Sequence, residues 1–411
     1  MILSEQYKKR LNELAGITLV ESISIKDELN SLTFKNDVEK FGGKIYAVGG
    51  RVRDEFLGKE SKDLDILITG VPLDELANIL SKYGKVKDVG KSFGIIKFVP
   101  FGQIDDIDIA IPRKEKPNGI GGYQGFDVQS DHTLPIEQEL LRRDATVNSI
   151  AQDAEGNIVD PFGGLEDIKN KVLRATNPHT FEDDSLRMLR FVQFSSRFGF
   201  TIEPNTLAMI KRNAHRIKEI SPERFLIEFD KIVKKGNPQI GMDILIETGL
   251  FKEMFGFDYA GDKDFNNVKT MSDLIFKLFE NSNISPSIYF KEKLNGDIET
   301  TNQLKALELQ DKLNNDILHD RYTVQNIFKL FPNPEISGLL NNHTKDIINT
   351  FQSGKYPASI KQLEINGNDL ISLGYKDVNI GKILNLVMKN ILSDTLRNDK
   401  NEILRFVETL K

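Results

Sequence analysis

The chain has 411 residues, a net charge of −6, and 39% hydrophobic against 28% charged residues, which allows about two to four ordinary globular domains. It has no cysteine, which excludes disulfides and Cys-based zinc sites and suits a reducing compartment. No apolar run is long enough to span a bilayer and Met1 to Arg10 carry no signal-peptide core, so a cytoplasmic protein with no membrane partner is expected.

Residues 1 to about 40 read as one or two polar helices, with Leu11, Leu14, Ile17 and Val20 as core contacts. Ile45 to Gly70 then reads as strand, glycine turn, short helix and second strand. In a strand alternate side chains share a face, so Asp63, Asp65 and Leu67 are expected to point one way and Leu64, Ile66 and Ile68 the other. Two carboxylates on one face repel unless cations lie between them, and Mg²⁺ is commonly held by one or two carboxylates plus substrate phosphates. The Gly49-Gly50 turn lets backbone N–H groups approach a phosphate, and Arg53 adds charge to that cradle.

Val71 to Tyr83 has the spacing of an amphipathic helix. Lys91 to Pro100 and Ile104 to Ile111 read as paired strands, the second alternating Ile107, Ile109 and Ile111 with Asp106, Asp108 and Ala110. Pro112 to Phe126, with four glycines and two prolines, reads as a flexible loop. Leu141 to Ser149 is L-R-R-D-A-T-V-N-S; Arg142 and Arg143 are consecutive, so on a helix they cannot share a face. Asn157 to Arg174 contains Asp160-Pro161 and Gly163-Gly164 turn chemistry. Phe181 to Phe200 reads as a helix on which Asp184, Arg187 and Arg190 follow one another at intervals of three along one face. Ser221-Pro222 reads as a helix start, and the remainder as mostly helical. His319-Asp320 lacks the earlier histidine that a phosphohydrolase metal site needs, since no His lies between His215 and His319. Asn366-Gly367 reads as a turn before a helix.

The G-G-R-V-R-D turn followed by D-L-D resembles the signature of the nucleotidyltransferase superfamily, and its form resembles the class II tRNA CCA-adding enzymes and bacterial poly(A) polymerases. L-R-R-D-A-T-V-N-S resembles that family's R-R-D motif, with Ala145 and Ser149 as departures. F-E-D-D-S-L-R-M-L-R resembles its E-D-P-L-R helix, with Asp183 and Ser185 replacing the usual Glu and Pro. The likeness is strong over roughly residues 40 to 235, faint over the next hundred and moderate over the last fifty.

The resemblance implies an α+β architecture: a nucleotidyltransferase head over 1–168, a helical neck for base recognition over 169–228, a helical body over 229–330 and a tRNA-binding helical tail over 331–411. It implies transfer of CMP and AMP from CTP and ATP to the 3′ end of tRNA by two-metal catalysis, with no nucleic-acid template. Asp63 and Asp65 are the expected Mg²⁺ ligands and catalytic residues. Family spacing selects Asp108 as the third catalytic carboxylate, with Asp106 as the fallback. Gly50, Arg53 and Arg143 are expected on the triphosphate. Asp184, Arg187 and Arg190 are expected on the base and its neighbouring phosphates. A carboxylate accepts from the exocyclic amino group of cytosine or adenine and a guanidinium donates to the ring nitrogen, while guanine and uracil present a carbonyl there. Gln193 stands where the family often has another Arg on the triphosphate, a departure from its pattern. Poly(A) addition, partial addition of only CC or only A, and a non-catalytic RNA-binding module are the alternatives. Oligomeric state is not legible.

Overall fold

The computed structural model describes residues 24–59, 64–90, 94–117, 126–310, 313, 317–331, 333, 337–376 and 378–410. Asp63 and the centre of the glycine-rich loop lie outside that set. The chain divides into two compact units, Met1–Ile220 and Ser221–Lys411.

The first unit is built on a mixed sheet. Its elements begin with α1 (Ile25–Asn30), α2 (Lys35–Lys40), β1 (Lys44–Val48), α3 (Gly50–Phe56), β2 (Ile66–Thr69) and α4 (Leu73–Ser81). β3 (Gly84–Gly90), β4 (Ile95–Pro100), β5 (Ile107–Ala110), β6 (Arg113–Pro117), β7 (Phe126–Ser130) and α5 (Ile136–Leu141) follow. β8 (Ala151–Asp153), β9 (Ile158–Val159), α6 (Gly164–Asn170), β10 (Val172–Leu173), α7 (Thr180–Asp183), α8 (Leu186–Phe198), β11 (Thr201–Ile202) and α9 (Pro204–Asn213) complete it. The main sheet runs β3-β4-β5-β2-β1-β8-β9, and of its pairs only β2 with β5 is parallel.

The apolar alternation of β1 and β2 buries both sheet faces. Tyr46, Val48 and Leu67 share one face and pack with Ile136 and Leu140 of α5, joined at the margin by Ala110. Ile45, Ala47, Ile66 and Ile68 alternate with them and are equally buried. Phe34, in the turn between α1 and α2, meets Phe98 of β4 edge-on at 5.5 Å. The expected loop after Pro112 is instead the start of a hairpin, β6 pairing antiparallel with β7 from Arg113↔Ser130 to Pro117↔Phe126. The four glycines of that stretch all fall within residues 118–125, outside the described set, and the segments on either side of them pair.

The second unit is helical, from α10 (Pro222–Lys235), α11 (Pro238–Glu247), α12 (Leu250–Phe255) and α13 (Met271–Leu278) to α14 (Pro286–Lys293) and α15 (Ile298–Gln310). α16 (Ile317–Leu330), α17 (Asn342–Gln352), α18 (Gly367–Ser372), α19 (Val378–Leu392) and α20 (Lys400–Glu408) follow. As the sequence signals require, Pro222 opens α10 after Ser221, and Asn366 caps α18 with Asp369 returning the bond. Asp273 is fully buried at the start of α13 and holds the Ser337-Gly338 turn through the Ser337 hydroxyl and the Gly338 N–H. The His319-Asp320 backbone lies in α16, and among the described residues no group of three or more His, Cys, Asp or Glu side chains converges to hold a metal.

Candidate active site

The site forms where β1 ends. Gly49 leaves the strand at φ +73°, ψ −126°, a backbone state that side chains disfavour. A Cβ built there would sit 2.5 Å from Nη1 of Arg143, so glycine serves the turn and lets the guanidinium lie against it, and a side chain there would push that guanidinium aside. Gly50 then opens α3, and a Cβ on it would meet only Nη2 of Arg53, at 3.6 Å.

The aspartates come next. β2 begins at Ile66, so Asp65 stands one residue before the strand that the sequence assigned to it. The sheet pairing nonetheless continues through it, because the Val48 N–H donates to the Asp65 carbonyl at 3.1 Å. Asp65 is two residues before Leu67 and so continues the face that packs on α5, at a point where the carboxylate is exposed. The parallel register pairs Ile66 with Ile109, which puts Asp65 and Asp108 side by side one residue earlier. Asp108 is two before Ala110 and shares that face. Asp106 falls just before β5, because that strand begins at Ile107 rather than at Ile104. Asp63, the other expected metal ligand, lies outside the described residues.

Arg142 and Arg143 follow the end of α5 instead of lying on it. Arg142 pairs with the buried carboxylate of Glu139, its Nε donating at 2.7 Å. Arg143 is the freer of the two, with Glu139 4.0 Å away, and its buried Nε has no hydrogen-bond partner. Burial lowers the basicity of this guanidinium; Glu139, and more weakly Asp65, act the other way. An orphaned guanidinium N–H beside a glycine turn and a carboxylate is the arrangement an anion would complete.

The rest of this stretch is a hydrogen-bonded frame. Asp144 is buried and accepts from the Ala145 N–H at 2.8 Å, the Asn148 amide at 2.9 Å and Arg190 Nε at 2.6 Å. Burial alone would raise its pKa, but Arg190 and the Asn148 hydrogen bond outweigh that and hold the carboxyl well below the usual range. Arg53 is buried too, its Nε donating to Asp54 at 2.8 Å, its Nη1 to Asn148, and its guanidinium lying 4.5 Å from the Phe198 ring. Asn148 thus joins Arg53 to Asp144. The sequence shows Asn148 inside the R-R-D motif without a role, since nothing in the spacing shows two partners so far apart in the chain.

The stretch from Phe181 to Phe198 departs from expectation. The single helix breaks at Asp184-Ser185, where Asp184 is extended at φ −145°, ψ 111°. Asp184 and Arg187 are therefore not stacked along one helix; Asp184 precedes α8 and its Oδ1 accepts from the Leu186 N–H at 3.0 Å. A short side chain that bonds the backbone two residues on competes with helix, which is the physical reason for the break. Arg187 Nη2 donates to the Arg142 carbonyl at 2.7 Å, and Arg190 holds Asp144, so α8 is locked to the R-R-D segment. Gln193 is buried with its Nε2 unpartnered. Gly50, Asp65, Asp108 and Arg143 thus lie around the end of β1, with Arg53 behind the turn and Arg187 and Arg190 bracing it from α8.

Residues 45–174 match the family model for the poly A polymerase head domain, and residues 199–256 match that for a probable RNA and SrmB-binding site of polymerase A. The chain is 30% identical over 416 residues to the CCA-adding enzyme of Ligilactobacillus salivarius (strain UCC118), covering 94% of this chain and 98% of that protein. Its fold is similar to the Bacillus stearothermophilus CCA-adding enzyme in complex with CTP, with a TM-score of 0.69 at 22% identity over 94% of this chain and 98% of that one. It is likewise similar to the Thermotoga maritima CCA-adding enzyme complexed with tRNA, with a TM-score of 0.69 at 21% identity over the same shares.

Proposed function

Because the chain belongs to the class II CCA-adding enzyme and bacterial poly(A) polymerase family of nucleotidyltransferases, we propose that it adds CMP and AMP from CTP and ATP to the 3′ end of tRNA. The observation that carries this is the Gly49 turn with the orphaned Arg143 Nε on one side and the Asp65–Asp108 pair on the other. That is an anion cradle next to a hard-oxygen donor set.

The donor set fits Mg²⁺, with Asp63 and Asp65 as its protein ligands and Asp108 alongside. When bound, two such ions would stabilise the attacking and leaving oxygens of an in-line displacement. The chain's own residues do the rest. Arg143 donates to the triphosphate, Gly50 lets its backbone come close, and buried Arg53 adds positive potential behind them. Asp108 takes or orients the proton of the ribose 3′-hydroxyl that attacks the α-phosphate. Asp184 accepts from the amino group of cytosine or adenine, Arg187 donates to the ring nitrogen, and Arg190, held by Asp144, stands beside them for the neighbouring phosphates. Side chains thereby stand in for a template. In this reading the tail, 331–411, binds tRNA, and the reaction takes place in the cytoplasm. Among the described residues no helix is long and apolar enough to cross a membrane.

The test is pyrophosphate release on tRNA lacking its 3′ end. Wild-type protein should release pyrophosphate with CTP. Asp65→Ala and Asp108→Ala should lose nearly all of that rate while keeping their circular dichroism spectra, since both side chains are exposed and contribute little packing. More than a few per cent of the rate in Asp65→Ala would remove this assignment.

A further inference from the structure

Lys97 has no place in the family motifs, yet the sheet register sets it opposite Asp108. Its Nζ lies 2.8 Å from Asp108 Oδ1 and 3.8 Å from Asp106 Oδ2. Register partners share a face, so Lys97 lies on the face that carries Asp65 and Asp108. We propose that Lys97 is a placeholder cation: it neutralises the carboxylates of the site in the metal-free protein and competes with the divalent ion for Asp108.

The argument is one of charge. Asp65 and Asp106 immediately precede β2 and β5, and Asp108, the second residue of β5, stands beside Asp65 in the register. Neighbouring carboxylates destabilise one another unless a cation lies between them. Lys97 supplies that charge within hydrogen-bond distance, from a strand whose pairing fixes its position. An ammonium donates N–H hydrogen bonds but has no empty orbital to coordinate oxygen, so it can hold Asp108 but cannot act as a Lewis acid in place of a metal. Its side chain is 49% exposed and that of Asp108 51%, so the pair is screened and weak enough to be displaced. Lys97 is thus a positioning residue, acting through Asp108.

The inference rests on the proposed metal reading, and the test separates the two. Chelator-treated full-length protein is titrated with Mn²⁺, and free Mn²⁺ is followed by electron paramagnetic resonance, without nucleotide. Lys97→Met should bind Mn²⁺ about two- to tenfold more tightly than wild type, the range expected for removing one screened charge near a divalent ion. Its metal-free melting temperature should fall, and the rise on adding Mn²⁺ should grow. Lys97→Arg, which keeps the charge, should behave as wild type. In an Asp108→Asn background, Lys97→Met should change Mn²⁺ affinity little. Unchanged or weaker binding by Lys97→Met, or an equal gain in the Asp108→Asn background, overturns the proposal. Wild-type protein whose Mn²⁺ binding is indifferent to Asp65→Ala and Asp108→Ala overturns the metal reading, and the placeholder with it.

Discussion

Asp144→Ala should cost the protein about 2–3 kcal/mol of stability. The carboxylate is only 6% exposed and accepts three hydrogen bonds, from the Ala145 N–H, the Asn148 amide and Arg190 Nε. Breaking a buried ion pair by removing one partner costs about 3–5 kcal/mol. The Arg190 side chain is 37% exposed, so water re-solvates much of its charge, and the lower figure of about 2–3 kcal/mol is the appropriate one. Urea unfolding followed by circular dichroism measures the loss in the transition that the substitution shifts. The pH dependence gives an independent reading. The folded carboxyl titrates below its unfolded counterpart, so its contribution is complete above the unfolded pKa and is lost as pH falls towards the folded one. The gap between wild type and Asp144→Asn should therefore be full at pH 5 and above and shrink below about pH 4. A loss under about 0.5 kcal/mol, or a gap that does not change with pH, would refute the view that Asp144 anchors α8 through a buried charge.

Gly49→Ala should destabilise the protein by about 1–2 kcal/mol from φ alone and displace Arg143, raising the KM for nucleotide more than it changes secondary structure; an unchanged KM would detach Arg143 from the triphosphate. Asp184→Ala should slow CTP and ATP use and let UTP or GTP compete, with discrimination falling about ten- to a hundredfold, the value of a hydrogen bond to a charged group. Single-nucleotide incorporation with all four NTPs reads this, and a uniform slowing with preference unchanged would mean that Asp184 only positions the substrate. Asp106→Ala should be milder than Asp108→Ala in the same assay; the reverse order would move the third carboxylate to Asp106.

Much of this site was legible because its chemistry is local in sequence. The Gly49 turn, the strand after Asp65 and the α3 helix are adjacent in the chain, so alternation and turn chemistry place them. Asp108 needed the family spacing, since alternation alone puts Asp106 on the same face. Lys97 was invisible for a different reason: alternation gives the face of a strand but not the residue it pairs with, and only the β4–β5 register brings Lys97 to Asp108. Period-three spacing suggested one helix through Asp184, and the local Asp184–Leu186 bond overrode it. The frame of Asp144, Asn148, Arg53 and Phe198 joins segments more than ninety residues apart, and no periodicity carries such pairing. In the helical unit the Pro222 start and the Asn366 cap were readable from sequence, whereas the Asp273 link to Ser337 was not.

Product length on a single tRNA tests the central claim most directly. A transcript ending at the discriminator base is incubated with the protein and CTP alone, ATP alone, or both, and the products are resolved at one-nucleotide resolution. The proposed activity predicts two added nucleotides with CTP alone, none with ATP alone, and three with both, after which extension stops. A long ladder of adenylates with ATP alone, or no extension under any of the three conditions, would contradict it.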